Sequence, residues 1–285
     1  MVKQRLNPLN DYLFLKIMGE KGDEEQLCAF LNAVLGRKGQ DAIVSVEIIE
    51  NRAVAAEVVG DKASILDVRA ATASGGRINI EVQLRNLGNM DRRSLFYWSR
   101  EFSKGMESGQ DYREAPNVIA INIVNYEFMP EVPAFHLGFH IREDTYRDVL
   151  LTDALEIRFL DMVKFRRAEG KDIRNDPLHR WLTWLDKESP AKLVEEAARM
   201  DKAIRKAEEK MEYVSSDKET LRMYEMREMA LSDWTSGINH AREEGIKEGR
   251  REIAAKLKNR GIPIDQIAEY TGLSVKEINQ YAKEQ

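Results

Sequence analysis

The chain has 285 residues, of which 43% are hydrophobic and 33% are charged, and its formal net charge is −5. This length is enough to bury a sizeable core in one large domain or two smaller ones. The negative balance does not by itself indicate a nucleic-acid binder, although charge can be segregated locally. Cys28 is the only cysteine, which excludes an intramolecular disulfide bond and a cysteine-based zinc site.

Neither a membrane anchor nor a leader peptide is indicated by the sequence. No segment approaches the roughly 20 apolar residues of a transmembrane helix, and the N-terminus lacks the charged start and apolar run of a signal peptide. We therefore expect a cytoplasmic protein with no membrane contact and no small organic cofactor.

Apolar spacing predicts the elements of the first 175 residues. In chain order these are helices over 7–19 and 24–35, a strand over 42–52, a two-stranded hairpin over 65–86, a helix over 90–109, and strands over 116–127, 134–142 and 155–163. The apolar side predicted for the 90–109 helix consists of Leu95, Tyr97, Trp98, Phe102 and Met106. This order predicts an α/β fold with a mixed central sheet flanked by helices.

The sequence after about residue 175 becomes charged and helical in pattern. After Pro190 there is no further proline up to residue 259. In the tail, Gly272 separates two short predicted helices, and Ser274 with Glu277 has the S-x-x-E spacing of a capping box. This pattern is helix-turn-helix-like. We predict three parts: the α/β domain at 1–175, a helical extension at 176–240 and the helix-turn-helix-like module at 241–285.

The predicted hairpin carries Asp67, Glu81 and Gln83, which a plain hairpin does not need. A two-residue loop at Gly75–Gly76 mixes apolar with polar residues on both faces. A three-residue loop at 74–76 gives one apolar face, and glycine suits the positive φ that such loops need. Its pairs are Val68 with Val82, Arg69 with Glu81, and Asp67 with Gln83. Apolar patterning therefore predicts an odd loop or a bulge that brings the three polar side chains together.

Converging carboxylates suit a metal ion. Mg²⁺ prefers oxygen ligands, typically one or two carboxylates with water and substrate phosphate. Asp67 and Glu81 could hold it, with the backbone carbonyl of Val82 as a further oxygen. Gln83 cannot act as a base at neutral pH, but its amide can orient a water or contact a phosphate oxygen. The alternative is that these side chains line the solvent face of an antiparallel sheet.

Several segments together resemble the PD-(D/E)XK nuclease family transposases, the recombination-promoting nuclease group. "ILDVRA" supplies the Asp67 of the motif, and "IEVQ" supplies Glu81 and Gln83, with glutamine in the lysine position. "NDYLFLKIM" is similar to the opening segment of the group, with Asp11 and Lys16 in matching positions. Two further segments resemble the corresponding segments of this family: the one around Tyr97, Trp98 and Gly109, and the Glu-Gly-Arg-rich tail.

The resemblance implies a restriction-endonuclease-like core in residues 1–175 and metal-dependent cleavage of DNA phosphodiester bonds. It implies Mg²⁺, with Mn²⁺ as the alternative, at Asp67 and Glu81. Asp11 and Lys16 are implied as auxiliary residues, and capping of the first helix is the alternative role for Asp11. Glutamine offers only a dipole where a lysine cation would stabilise negative charge, which leaves the activity open.

Candidates for DNA contact lie in two helices. Arg92 and Arg93 could contact a phosphate, or could lie on a solvated helix face. The last predicted helix exposes Lys276, Asn279 and Gln280, which suits groove or phosphate contacts, although small helical tails also serve dimerisation.

His136 and His140 have a spacing that suggests zinc, but in a strand they are separated by about 13 Å, too far for one ion.

Two functions remain open from the sequence. The first is a Mg²⁺-dependent DNA endonuclease of transposase type. The second is a catalytically weak or inactive relative that acts as a DNA-binding or protein-interaction module. In both cases DNA is the expected partner, and the long charged helices lead us to expect a homodimer.

Overall fold

The computed structural model describes residues 5–49 and 68–281 of the chain. Asp67 and the end of the strand predicted over 42–52 lie outside the described residues. The chain divides into two compact units, Met1–Arg227 and Glu228–Gln285. The three-part division predicted from the sequence stays a prediction.

The described residues form six strands and ten α-helices. In chain order the elements are α1 (Asp11–Met18), α2 (Glu24–Leu35), β1 (Val46–Ile48), β2 (Val68–Thr72), β3 (Arg77–Gln83), α3 (Met90–Lys104), β4 (Val118–Val124), β5 (His136–Phe139), β6 (Leu155–Asp161), α4 (Met162–Arg167), α5 (Pro177–Leu185), α6 (Ala191–Met200), α7 (Lys202–Val214), α8 (Lys218–Asn259), α9 (Ile264–Thr271) and α10 (Val275–Tyr281). No helix in this described part is long and apolar enough to cross a membrane.

A mixed sheet with the strand order β1-β2-β3-β4-β6-β5 forms the centre of the first unit. The strands β1, β2 and β3 are antiparallel, β3, β4 and β6 are parallel, and β5 is antiparallel to β6. Gln83 pairs with Val124, which pairs with Asp161, so the carboxyl ends of the three parallel strands lie at one edge. The predicted α/β fold with a mixed sheet flanked by helices is confirmed.

The two faces of this sheet carry different cores. On one face, Ile78, Ile80 and Val82 of β3 pack in a large cluster with residues of α1, α2 and α5 to α7. On the other face, a smaller cluster joins Met90 of α3 to Val124 and further residues of β4 and β6. The helix α3 therefore covers the second face near the middle of the sheet.

The hairpin of β2 and β3 has the predicted odd loop, but its register differs from the predicted one by two residues. The Thr72 N–H donates to the Gly76 carbonyl and the Gly75 N–H donates to the Thr72 carbonyl, so the loop is 73–75 rather than 74–76. Gly75 has a φ of 83°, the positive value that the third position of such a loop needs. The observed pairs are Val68 with Ile80 and Arg69 with Asn79, so the pairs predicted for Val68 and Arg69 are wrong.

The predicted apolar side of α3 is partly wrong. Leu95 is 51% exposed, and the buried residues of the helix are Met90, Ser94 and Glu101. Trp98 does pack against the smaller cluster, and its Nε1–H donates to the Val118 carbonyl. The buried side of α3 is partly polar because the sheet face beneath it carries the polar side chains of β3.

Two helix starts differ from the sequence prediction. The first helix begins at Asp11, and Asn10 caps it by accepting the Leu13 N–H, so the capping role considered for Asp11 belongs to Asn10. The strand predicted to reach residue 163 ends at Asp161, whose carboxylate accepts the Lys164 N–H and starts the unpredicted helix α4.

In the second unit, α9 and α10 pack on the end of α8 through a small apolar cluster of Ala254, Ile267, Leu273 and Ile278. Gly272 ends α9 with a φ of 69°, and Ser274 and Glu277 form the predicted capping box. The two short helices and the glycine turn predicted for the tail are therefore present, and their assignment as a helix-turn-helix-like module stays a prediction.

Candidate functional site

The face of β3 beneath α3 is polar along its whole length. Alternation along the strand puts Arg77, Asn79, Glu81 and Gln83 on this face, opposite the apolar residues of the main core. Asn79 and Glu81 are buried, and Arg77 and Gln83 are half-buried. A covered sheet face usually carries apolar residues, so this row of polar side chains needs a chemical explanation.

Glu81 is fully buried and contacts one cation. The Nη2 of Arg93, in the first turn of α3, lies 2.7 Å from Glu81 Oε1. Both carboxylate oxygens are buried, and neither makes a hydrogen bond of normal geometry to the described residues, so Arg93 contacts Oε1 as an ion pair and Oε2 has no partner there. Burial raises the pKa of Glu81 above its ordinary value, and the nearby charge of Arg93 opposes this rise. The carboxylate therefore has one ion-pair partner and no hydrogen bond of normal geometry in the described part of the chain.

Two other buried side-chain oxygens near this face also lack a hydrogen-bond partner among the described residues. They are Asn79 Oδ1 and the Tyr126 hydroxyl. Burial, with the negative charge of Glu81 as the next cause, raises the pKa of Tyr126 to about 12. Buried polar atoms are nearly always satisfied, so such a group points to an ion or water that completes it.

The structure thus adds two residues, Asn79 and Tyr126, that the sequence prediction omitted. Asn79 could have been found, because it precedes Glu81 by two positions and alternation puts both on one face. Tyr126 follows β4, and no local pattern relates it to Glu81.

Glu101, a buried carboxylate on the side of α3 that faces the sheet, has a different environment. Its ion-pair partners are Arg77 at 3.2 Å, with Arg69 and Lys104 each at 3.8 Å. These contacts link α3 to β2 and β3 and leave Glu101 surrounded by positive charge. Glu101 therefore holds the helix on the sheet, whereas Glu81 keeps an oxygen free.

The other two residues of the E-x-Q motif have distinct positions. The Gln83 amide donates to the Arg85 carbonyl at 3.0 Å, and its side chain is half-buried. The Gln83 carbonyl accepts the Asn125 N–H on the β4 side. Because carbonyls alternate in direction along a strand, the Val82 carbonyl points to the β2 side, beyond the last described β2 pair.

The predicted auxiliary residues both lie on α1, which packs against β3. Asp11 Oδ2 lies 3.7 Å from Arg227 Nη1, and burial raises the pKa of Asp11. Lys16 makes an ion pair with Glu20 at 2.7 Å. No contact between Lys16 and Glu81 is present in the structure as described.

The predicted DNA-contact residues differ in their surroundings. Arg92 is exposed, whereas Arg93 is paired with Glu81. In the second unit, Lys276, Asn279 and Gln280 are all exposed on α10, and Asn279 Oδ1 accepts a hydrogen bond from Lys258 at 3.2 Å.

The donor chemistry of Glu81 fits a hard divalent cation. A buried carboxylate with a free oxygen is a suitable ligand, but residues 5–49 and 68–281 contain no group of three or more acidic, histidine or cysteine side chains placed so that they could hold a metal ion. A second carboxylate must then come from elsewhere, and Asp67 lies outside the described residues. What the described residues offer to a cation is one buried carboxylate, Glu81, whose Oε2 has no partner there.

A family model described as PD-(D/E)XK nuclease family transposase matches residues 8–241. This match agrees with the mixed six-stranded sheet flanked by helices, the restriction-endonuclease-like fold predicted from the sequence. A search of curated proteins gave no match, and a search of solved structures gave none either.

Proposed function

Because this chain belongs to the PD-(D/E)XK nuclease family transposases, we propose that it is a metal-dependent endonuclease that hydrolyses the phosphodiester bonds of DNA. The observation that carries the proposal is the Glu81 carboxylate, fully buried at the acidic position of the motif with Oε2 lacking a partner in the described part of the chain. Keeping a carboxylate there is costly unless a cation completes it.

We propose that Asp67 and Glu81 bind the metal, with the Val82 carbonyl as a third oxygen. Support for this set comes from the described ladder, in which Val68 pairs with Ile80: Asp67 precedes Val68 and Glu81 follows Ile80 in the sequence. The metal is Mg²⁺ or Mn²⁺, since an all-oxygen set suits hard cations. When bound by these residues, such a cation would polarise the scissile phosphate and would lower the pKa of an attacking water.

The side chains around Glu81 have separate tasks in this proposal. Gln83, freed from the Arg85 carbonyl, donates its amide hydrogen bond to a phosphate oxygen or accepts one from the attacking water. The Tyr126 hydroxyl stays protonated at neutral pH, because its pKa is about 12, and can donate a hydrogen bond. Asp11 and Lys16 remain proposed as auxiliary residues on the neighbouring helix α1.

DNA contact outside the centre is assigned to exposed polar residues. Arg92 on α3 contacts a backbone phosphate, and Lys276, Asn279 and Gln280 contact DNA through α10. We also propose a homodimer, for which light scattering should give twice the chain mass of 32.8 kDa.

A plasmid-nicking assay tests the proposal. We expect the purified protein to nick supercoiled DNA with Mg²⁺ and to be inactive with EDTA. Asp67→Asn and Glu81→Gln should each lower the rate by at least about a hundredfold, because each removes a ligand charge from the metal. Glu101→Gln is the matched control: it also removes a buried carboxylate between α3 and the sheet and should keep most of the activity. Equal rates in all four proteins would refute the assigned site.

A second candidate function is a DNA-binding or protein-interaction module without cleavage. It is favoured by Gln83 in the lysine position and by the Arg93 cation that already pairs with Glu81. This alternative predicts that the full chain binds a labelled duplex in fluorescence anisotropy but cuts no DNA with Mg²⁺ or Mn²⁺. Cleavage that disappears in Glu81→Gln would exclude it.

A further inference from the structure

The only ion pair of Glu81 in the described part of the chain is the one with Arg93. The separation of 2.7 Å between Arg93 Nη2 and Glu81 Oε1 is a direct contact, and it occupies one of the two carboxylate oxygens. The pair is neutral as it stands. With Asp67 as the second proposed ligand, a divalent cation that joined the pair without displacing Arg93 would leave a net local charge of plus one in a buried place, whereas the cation and the two carboxylates alone are neutral.

The position of Arg93 also allows its guanidinium to move away from Glu81. Its side chain is 17% exposed, whereas the Glu81 side chain is 1% exposed. The guanidinium lies 5.6 Å from the centre of the Tyr97 ring, one helical turn further along α3. Contact with the ring supports a cation whether or not a carboxylate is present.

We propose that Arg93 is the resident counter-ion of Glu81 in the metal-free protein and competes with the divalent metal for this carboxylate. The inference rests on the proposed function, because it takes Glu81 as a metal ligand. Metal binding then displaces the guanidinium toward Tyr97 and solvent, where it can contact an anion such as a DNA phosphate. Arg93 therefore sets the metal concentration at which the site fills.

Binding of Mn²⁺ alone, without DNA, tests the proposal. Free Mn²⁺ can be counted by electron paramagnetic resonance in a titration of the full chain at mildly alkaline pH. Arg93→Gln keeps a hydrogen-bond donor for Oε1 but removes the charge, and we expect it to lower the dissociation constant for Mn²⁺ by about tenfold or more. A folded Arg93→Gln protein that binds Mn²⁺ as the wild type does, or more weakly, would overturn the proposal.

Two control variants separate charge from packing. Arg93→Lys keeps a cation on the same helix position, and its affinity should stay within about threefold of the wild type. Arg77→Gln removes a half-buried arginine of the same sheet face that pairs with Glu101 rather than Glu81, and it should leave the affinity unchanged. Equal tightening in Arg77→Gln would mean that general loss of positive charge, not Arg93, is responsible.

If Arg93→Gln does not fold, the wild-type protein decides the question. The ¹⁵N signal of the Arg93 side chain, identified by its absence from the Arg93→Lys spectrum, should shift during a Mg²⁺ titration with the midpoint of metal binding. A signal that stays unchanged through saturation overturns the proposal.

Failure of this inference is distinguishable from failure of the proposed function. If Asp67→Asn and Glu81→Gln bind Mn²⁺ as the wild type does, the metal is not at this site and the proposed function fails. If both variants lose Mn²⁺ binding while Arg93→Gln leaves it unchanged, the site stands and only the competition by Arg93 is refuted.

Discussion

Replacing Arg93 by methionine leaves the Glu81 carboxylate buried without a cation, and the metal-free protein should lose stability. Breaking one partner of a buried ion pair typically costs about 3–5 kcal/mol. Protonation of Glu81 limits this cost, because burial already raises its pKa and each pKa unit corresponds to about 1.4 kcal/mol. We therefore expect a loss of about 3 kcal/mol for Arg93→Met near neutral pH.

A double-mutant cycle isolates the interaction from the loss of packing. In the Glu81→Gln background no carboxylate is left unpaired, so Arg93→Met should cost less there. The coupling free energy between the two positions should be about 2 kcal/mol. Urea unfolding in EDTA, followed by tryptophan fluorescence, measures it, since Trp98, Trp181 and Trp184 all lie in the first unit.

The Lys16–Glu20 pair is a control with the same separation and less burial. Its atoms are also 2.7 Å apart, but its side chains are 31% and 42% exposed, against 17% and 1% for Arg93 and Glu81. Solvent screening should reduce its coupling to about 0.5 kcal/mol. If the two pairs couple equally, burial does not strengthen the contact of Arg93 with Glu81, and the reasoning is wrong.

Three further predictions concern the hairpin, the motif and a strand. Gly75→Ala should cost about 1–2 kcal/mol in urea unfolding, because Gly75 has a φ of 83°; an unchanged stability would contradict the loop geometry. Gln83→Lys should raise the nicking rate by about tenfold, since a cation stabilises developing negative charge better than an amide; an equal or lower rate would argue against this role. Burial lowers the pKa of His136 in β5 from 6.5, so the unfolded chain takes up its proton first. Wild-type stability relative to His136→Gln should therefore fall as the pH drops below 6.5, by up to about 1.4 kcal/mol per unit, and a constant difference from pH about 7.5 to about 5.5 would refute this.

The sequence predicts which residues of the hairpin share a face of the sheet, but it does not predict the pairing register. Alternation of apolar residues requires Val68 and Ala70 to share a face with Ile78 and Ile80, which they do. A shift of two residues preserves these faces, so the pattern cannot distinguish the two registers. The choice depends on the turn, where Thr72 pairs with Gly76 and Gly75 takes the positive φ.

The contact between Arg93 and Glu81 depends on how α3 crosses the sheet, which a single sequence does not specify. Helical spacing predicts an apolar side that includes Leu95, but Ser94 and Glu101 are buried instead, because α3 packs on the polar face of β3. The motif itself could be found, because Glu81 and Gln83 are near neighbours in sequence. The partner that neutralises Glu81 is twelve positions away on another element, and tertiary packing alone brings it there.

The central claim is that Asp67 and Glu81 bind one divalent metal ion. Iron-directed cleavage of the polypeptide tests it most directly: Fe²⁺ bound at the Mg²⁺ site reduces added hydrogen peroxide to hydroxide and a hydroxyl radical that cuts the backbone near the ligands, and ascorbate reduces the resulting Fe³⁺ again. We predict cuts next to Asp67 and Glu81, identified by mass spectrometry, that disappear with excess Mg²⁺ and in Glu81→Gln. Cuts that cluster elsewhere, or that persist in Glu81→Gln, would contradict the claim.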